Sequence, residues 1–230
     1  MSLERYAVYW APELDHPLWE AGCAWLGRDP RAALGTPPLR PHVEVPSRYG
    51  FHATLKAPMH LVPGCTPQRF LRAVADLAAS QPAFEMPDLH VAWLDRFVAL
   101  RPPDLLAPGH PLQRLADACV TALDGHRGPP SASERARAGV ALDPDRQALQ
   151  ARWGYPHVLH HWRFHATLSN RFDDTVAPDA QGVFEAASTA FAAALQVPST
   201  SRSVCVFRQS APGAVFTLIE RLPLAAVKSA

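Results

Sequence analysis

Phe51-His52-Ala53-Thr54-Leu55 returns later in the chain as Phe164-His165-Ala166-Thr167-Leu168, and this pair of identical pentapeptides decides how the rest is read. Successive side chains on a strand point to opposite faces, so His52 and Thr54 share one face while Phe51, Ala53 and Leu55 share the other. Extending the alternation puts Tyr49 with the apolar set and Gly50 and Lys56 with the histidine. In the second copy Trp162, Phe164, Ala166 and Leu168 point inward, and Arg163, His165, Thr167 and Ser169 outward. Each copy thus offers an imidazole, a hydroxyl and a cation along one edge. Two such strands related by a pseudo-two-fold would line a groove with two proton-transfer groups, two hydroxyl donors and two positive charges.

Around the motifs the sequence reads as short strands and amphipathic helices. Arg5 to Trp10 is a strand ending at Ala11-Pro12. Asp15 can cap a helix over His16 to Leu26, whose apolar face is Leu18, Trp19, Gly22, Trp25 and Leu26. A Pro-rich connection, Arg28 to Ser47, includes Thr36-Pro37-Pro38 and leads to the first motif. Thr66 caps, and Pro67 starts, a helix with the stripe Phe70, Leu71, Val74 and Leu77. Strands follow around Leu89–Leu94 and Arg96–Leu100, then a helix over Leu112–Leu123. Asp124 to Gln150, with Gly128-Pro129-Pro130 and a helix after Asp143-Pro144, reads as the connector between halves. Trp153-Gly154-Tyr155-Pro156 turns before the second motif strand, Pro178 to Leu195 is a helix, and Ser203–Phe207 with Ala214–Glu220 forms a closing hairpin. Helices and strands do not alternate strictly, which predicts an α+β fold with antiparallel sheets. The repeat implies duplication into one bilobal domain: two antiparallel sheets flanked by helices about a central groove, with a half over about 1–125 and another over about 126–230.

The 230 residues carry a formal charge of only +1 and are 48% hydrophobic, which argues against disorder and against wholesale electrostatic binding to a polyanion. Phosphate recognition must then be local. The opening residues read as a strand, not a leader, and no 18-residue apolar stretch occurs, so a cytoplasmic chain without membrane or obligate partner is expected. Cys23, Cys65, Cys119 and Cys205 are too scattered for a zinc knuckle or a disulfide framework and read as reduced thiols.

The paired His52-Ala53-Thr54 and His165-Ala166-Thr167 resemble the mark of the two-histidine (2H) phosphoesterase superfamily. The stretch from Arg48 to Pro58, and Trp153-Gly154-Tyr155-Pro156 followed by Arg163-Phe164-His165, resemble more narrowly a branch found with phosphonate-utilisation operons. The resemblance spans most of the chain. It implies a bilobal fold with a central groove, hydrolysis or transfer at a cyclic or linear phosphodiester, and no required metal or other cofactor.

The residues support such chemistry directly. A phosphodiester needs its nucleophile deprotonated, its leaving oxygen protonated and its transition-state charge stabilised. Two imidazoles titrating near neutrality can serve as base and acid. Thr54 and Thr167 can donate to non-bridging oxygens, while Lys56 and Arg163 add charge. Arg48 at a strand end raises the potential near the mouth; Tyr49 and Trp162 can stack on a base, although their face assigns them first to the core. His157, His160, His161 and His165 could suggest a metal, but no acidic residue sits among them and the alternation favours turn then strand, so no metal is expected. Three functions follow: a metal-independent hydrolase of a cyclic phosphodiester of a nucleotide or ribose phosphate; an RNA-end 2′,3′-cyclic phosphodiesterase or 2′,5′ ligase; or a phosphate-ester binding module without turnover. A binder needs no pair of titrating groups. The expected partner is a small phosphorylated substrate, with an RNA end as the alternative.

Overall fold

The computed structural model of the chain describes residues 4–32, 40–130 and 142–226. Thr36-Pro37-Pro38 and the middle of the expected connector, 131–141, lie outside the described residues. The element order is β1 (Arg5–Trp10), α1 (Pro17–Leu26), α2 (Glu44–Ser47), β2 (Ala53–Met59), α3 (Pro67–Ser80), β3 (Phe84–Glu85), β4 (His90–Leu94), β5 (Phe97–Arg101), α4 (Pro111–Ala122), α5 (Pro144–Trp153), β6 (Ala166–Thr167), α6 (Pro178–Phe191), β7 (Thr200–Ser201), β8 (Ser203–Gln209) and β9 (Phe216–Pro223). The fold is α+β. Seven strands form one antiparallel sheet in the order β4-β5-β6-β2-β1-β8-β9, and β3 pairs with β7 in a second, two-stranded sheet.

The segments that follow the two motifs share an order of elements. After β2 the chain runs α3-β3-β4-β5, and after β6 it runs α6-β7-β8-β9. The hairpins are exchanged, however: β4–β5 of the first half joins β6 of the second, and β8–β9 of the second joins β1 of the first. The two motifs meet where β2 pairs with β6.

Local chemistry accounts for several of the helix starts. Thr66 Oγ1 accepts from the Arg69 backbone N–H at 3.2 Å, and Pro67 stands at the first helical position of α3, where a missing N–H costs nothing. α1 starts the same way but with His16, whose Nδ1 accepts from Leu18 N at 3.1 Å. The expected cap, Asp15, is instead taken by Arg202, whose Nη2 donates to both its oxygens at 2.5 and 2.7 Å. A charged guanidinium that reaches both carboxylate oxygens outcompetes a single backbone N–H for them.

Two apolar clusters hold the sheet to its helices. Tyr6, Val8 and Trp10 of β1, with Ala53 and Leu55 of β2, pack against Phe70 and Val74 of α3 and Leu112, Leu115 and Cys119 of α4. Phe51, Val98, Leu100, Ala166 and Leu168 pack against Leu18, Trp25 and Leu26 of α1 and Ala187 and Phe191 of α6. Phe51 enters this second layer because Gly22 makes room: a Cβ there would lie 2.1 Å from the Phe51 ring. Removing a fully buried phenylalanine side chain such as Phe51 costs about 3–5 kcal/mol, so the packing behind the motif is a firm platform. No helix among the described residues is long and apolar enough to cross a membrane.

Candidate active site

The two motifs are direct neighbours in the sheet. Ala53 pairs with Ala166, and extending that antiparallel register by one residue each way sets His52 opposite Thr167 and Thr54 opposite His165. The alanines point into the core and the four polar side chains to the other face. In this arrangement the two histidines lie on one diagonal and the two threonines on the other, with diagonal Cα atoms about 7–8 Å apart. Trp162 Nε1 donates to the Thr54 carbonyl at 2.8 Å and Trp25 Nε1 to that of Leu168 at 2.7 Å, so indole N–H groups tie the second motif to the first and to α1.

Both imidazoles are held alike. His52 Nδ1 lies 2.8 Å from the Gly50 carbonyl and His165 Nδ1 lies 2.8 Å from that of Arg163. A carbonyl only accepts, so each Nδ1 carries the hydrogen and each Nε2 faces the open side with its lone pair. Gly50 makes this possible for His52: at φ +79°, in the left-handed region that favours glycine, it turns its carbonyl back under the ring. Thr54 Oγ1 lies 3.5 Å from His52 Nε2. Tyr9 of β1 stacks on the His52 ring, with centroids 3.8 Å apart and planes at 28°.

A cavity of about 630 Å³ lies over this face, and His52, Thr54, His165 and Thr167 all line it. Its walls include Tyr9, Tyr49 and Tyr155, together with Arg5, Arg127 and His157. Burial lowers the pKa of His52 to about 4; its bond to Gly50 opposes this and the charge of His165 adds to it. His165 is also lowered by burial, against the help of the Arg163 carbonyl. Both imidazoles are thus neutral at pH 7 in the free protein. Burial raises the Tyr9 phenol well above its ordinary value, so it remains a proton donor.

Three of the expected substrate contacts are placed elsewhere. Lys56 does not reach the groove: it is 4% exposed, its Nζ donates to the Val120 carbonyl at 3.0 Å and stands 3.8 Å from Asp124 Oδ1. The reason is a bulge. Tyr9 pairs with Thr54 but Val8 with Lys56, so β2 spends two residues against one of β1, and Leu55 and Lys56 are both buried. Burial, partly offset by Asp124, brings the Lys56 ammonium down to about 8. Arg163 is exposed and folds back, donating to the His160 and Trp162 carbonyls at 2.9 and 2.7 Å. The chain ahead of β6 is a 3₁₀ turn, Leu159–His161, followed by irregular backbone, not the full strand expected. Arg48 donates from Nη2 to the Gly213 carbonyl and does not line the cavity. Tyr49 does line it, with its ring stacked on Phe216 at 5.1 Å.

Several groove residues were not singled out from sequence. Tyr9 and Arg5 had a signal: strict alternation along β1 puts Arg5, Ala7 and Tyr9 on one face, and the lone charge marks that face as the open one. Arg127 had none. It sits in the stretch read as linker, where a 3₁₀ turn at Asp124–His126 is stitched to the end of β2 by Val62 N to His126 O at 2.9 Å and Gly128 N to His60 O at 2.7 Å. Its guanidinium is paired to Asp124 at 2.8 Å. Asp145, on the first turn of α5, lies within 2.5 Å of His160 Nε2 and 2.6 Å of His161 Nε2, so the acidic residue missing from that histidine run in sequence is supplied in space.

The ribose 1,5-bisphosphate phosphokinase PhnN of Janthinobacterium sp. (strain Marseille) is 35% identical over 243 residues, which take in 96% of this chain and 51% of that protein. A PhnN of Laribacter hongkongensis (strain HLHK9) is 35% identical over 183 residues, 76% of this chain and 42% of that one. The chain thus spans about half the length of the curated relatives it matches. Among solved structures, a phosphoesterase is 18% identical with a TM-score of 0.43 over 96% of this chain and 99% of that one. E. coli LigT complexed with 3′-AMP is 14% identical with a TM-score of 0.41 over 97% and 99%. A family model described as protein of unknown function (DUF1045) matches residues 54–217, from the first motif threonine through the whole of the second motif and into β9, and the chain belongs to that family.

Proposed function

We propose that the protein is a phosphoesterase of the two-histidine kind that hydrolyses a small cyclic phosphodiester on a ribose-like ring, with no metal in the reacting groove. The observation that carries this reading is the Ala53–Ala166 pair, which sets two imidazoles with pinned Nδ1 and open Nε2 across one cavity. One neutral imidazole takes a proton from water as its oxygen bonds to phosphorus; the other, as imidazolium, gives a proton to the ring oxygen as its bond to phosphorus breaks. Thr54 and Thr167, on the other diagonal, donate to the non-bridging oxygens where charge builds. His52 is the base, because burial keeps it neutral down to about 4, and His165 is the acid. An anionic phosphate seated between the rings favours the imidazolium that burial disfavours.

The cavity has room for a nucleotide-sized ligand, and three of the four tyrosines in the chain line it, which suits a sugar or base. The PhnN relatives, named for a ribose bisphosphate, point to a phosphorylated ribose. The test is a panel assayed with a chelator present throughout: a ribosyl 1,2-cyclic phosphate, a mononucleoside 2′,3′-cyclic phosphate and a short oligonucleotide, each at low and moderate salt. The small cyclic esters are expected to open to monoesters with little salt effect. Preference for the oligonucleotide with a steep loss as salt rises, with log–log slopes near −0.7 per contacted phosphate, would instead show an RNA-end enzyme. Binding without any opened product would leave a non-catalytic module.

A further inference from the structure

Asp145, His160 and His161 lie outside the groove lining and take no part in the chemistry proposed for it. Asp145 Oδ2 lies 2.5 Å from His160 Nε2 and 2.6 Å from His161 Nε2, and the three donor atoms all fall within 4.8 Å of one another. Among the described residues this is the one trio of His, Cys, Asp or Glu so gathered. Adjacent side chains diverge on a strand, yet here the two rings stand with centroids 4.6 Å apart. The cause is the 3₁₀ turn Leu159–His161, entered through Leu159 at φ +52°, a left-handed conformation that a leucine adopts only under constraint.

The turn is braced on both sides. Gln113 of α4 donates from Nε2 to the Leu159 carbonyl at 3.1 Å and to Asp117 Oδ1 at 2.8 Å, and Arg163 donates to the His160 carbonyl at 2.9 Å. Asp145 is fixed on a helix whose first turn is capped by the Asp143 side chain, accepting from Arg146 N at 2.9 Å. Two imidazoles on a braced turn and a helix-borne carboxylate therefore converge on one point.

We propose that Asp145, His160 and His161 form a binding site for a borderline divalent transition ion, of which zinc is the type, with water completing the shell. Two imidazole nitrogens and one carboxylate oxygen form a donor set for such an ion, and bonds of about 2.0–2.2 Å are within reach of these atoms after small side-chain rotations. The site is a clip. It joins the start of α5 to the residues entering the second motif, across 15 residues of sequence that include Gly154, Tyr155, Pro156 and His157 of the groove wall. Closing that loop restrains the wall without placing the ion on the reacting phosphate.

The experiment uses the full chain without an affinity tag, stripped with chelator and dialysed, and titrated with cobalt(II) as a coloured stand-in for zinc. One equivalent of cobalt is expected to give visible ligand-field bands that zinc abolishes, and zinc is expected to raise Tm. Asp145→Asn and His161→Gln, with folding checked by circular dichroism, should each weaken binding at least about tenfold, the scale seen when even an outer-shell partner is removed. His157→Gln should leave the bands intact. Absence of saturable binding, or bands that survive Asp145→Asn and vanish with His157→Gln, would overturn the assignment. Neither readout depends on turnover, so the clip and the groove chemistry stand or fall separately.

Discussion

Assigning His52 as base and His165 as acid can be tested by changing the leaving group. From 6.5 to about 4, at about 1.4 kcal/mol per pH unit, the imidazolium of His52 is disfavoured by roughly 3 kcal/mol, and about one molecule of the free protein in a thousand holds it at pH 7. An acid so rarely charged is a poor donor, whereas a base so reliably neutral is ready. With a ribose cyclic phosphate, whose departing alkoxide needs a proton, His52→Ala and His165→Ala should each lose roughly 10²- to 10⁴-fold in kcat, the range for removing a positioned proton-transfer group. With a nitrophenyl phosphodiester the departing phenolate is stable unprotonated. His165→Ala should then lose less than about tenfold while His52→Ala keeps its full loss, since attack by water still needs a base. The assay is initial-rate absorbance for the aryl ester and chromatography of the opened sugar phosphate for the other, with folding checked by circular dichroism. The opposite pattern would exchange the roles, and near-normal activity in either variant on the cyclic substrate would refute the two-histidine mechanism.

Thr54→Val and Thr167→Val should each lower kcat on the cyclic ester by about 10²-fold with a smaller change in KM, as expected for donors to developing charge; steady-state kinetics on the two variants checks this. For the free protein, the base must be deprotonated and the acid protonated, so kcat/KM should be bell-shaped with its limbs between about 4 and the ordinary imidazole value of 6.5, because both histidines are lowered. Bound phosphate raises the acid, so the kcat profile should be displaced to higher pH; a kcat/KM optimum above pH 7.5 would contradict the assignment. Lys56→Met should leave kcat/KM within about twofold, since the ammonium lies on the α4 side of the sheet, and a large loss would return Lys56 to the phosphate. For stability, a histidine lowered on folding binds its proton more weakly in the native state, so His52 should make the fold lose stability as pH falls from 6.5 towards about 4, and denaturant unfolding across that window should show a shallower loss in His52→Ala.

The motif faces, the helix stripes and the closing hairpin were legible because each rests on local periodicity. Phe51, Ala53 and Leu55 are buried as the alternation requires, as are Phe164, Ala166 and Leu168. The limit was reached at single-residue irregularities. One extra residue after Thr54 flips Lys56 to the opposite face, and no local preference in Leu55-Lys56-Ala57 announces it. Asp15 is a better cap on paper than His16, but an arginine 187 residues away claims it. Asp145 was invisible for the same reason: sequence separation hid a spatial neighbour of His160 and His161. The stretch from Asp124 to Gly128, whose Arg127 and Gly128 line the groove, reads as linker because its hydrogen bonds run to His60 and Val62, far back in the chain.

The exchanged hairpins also bear on how activity is acquired. β6 carries half of the candidate site, yet both strands that flank it, β5 and β2, come from the N-terminal half of the chain. A growing polypeptide would therefore possess the first histidine long before β6 could pair with Ala53 or Phe191 of α6 could pack behind Phe51, and a fragment beginning after Arg127 would hold the second histidine on a segment with no ladder to join. Contacts of such long sequence separation form late, after the loop entropy has been met. Turnover would then report completion of the entire sheet, and the two halves expressed apart would gain activity only by reassembling around one another.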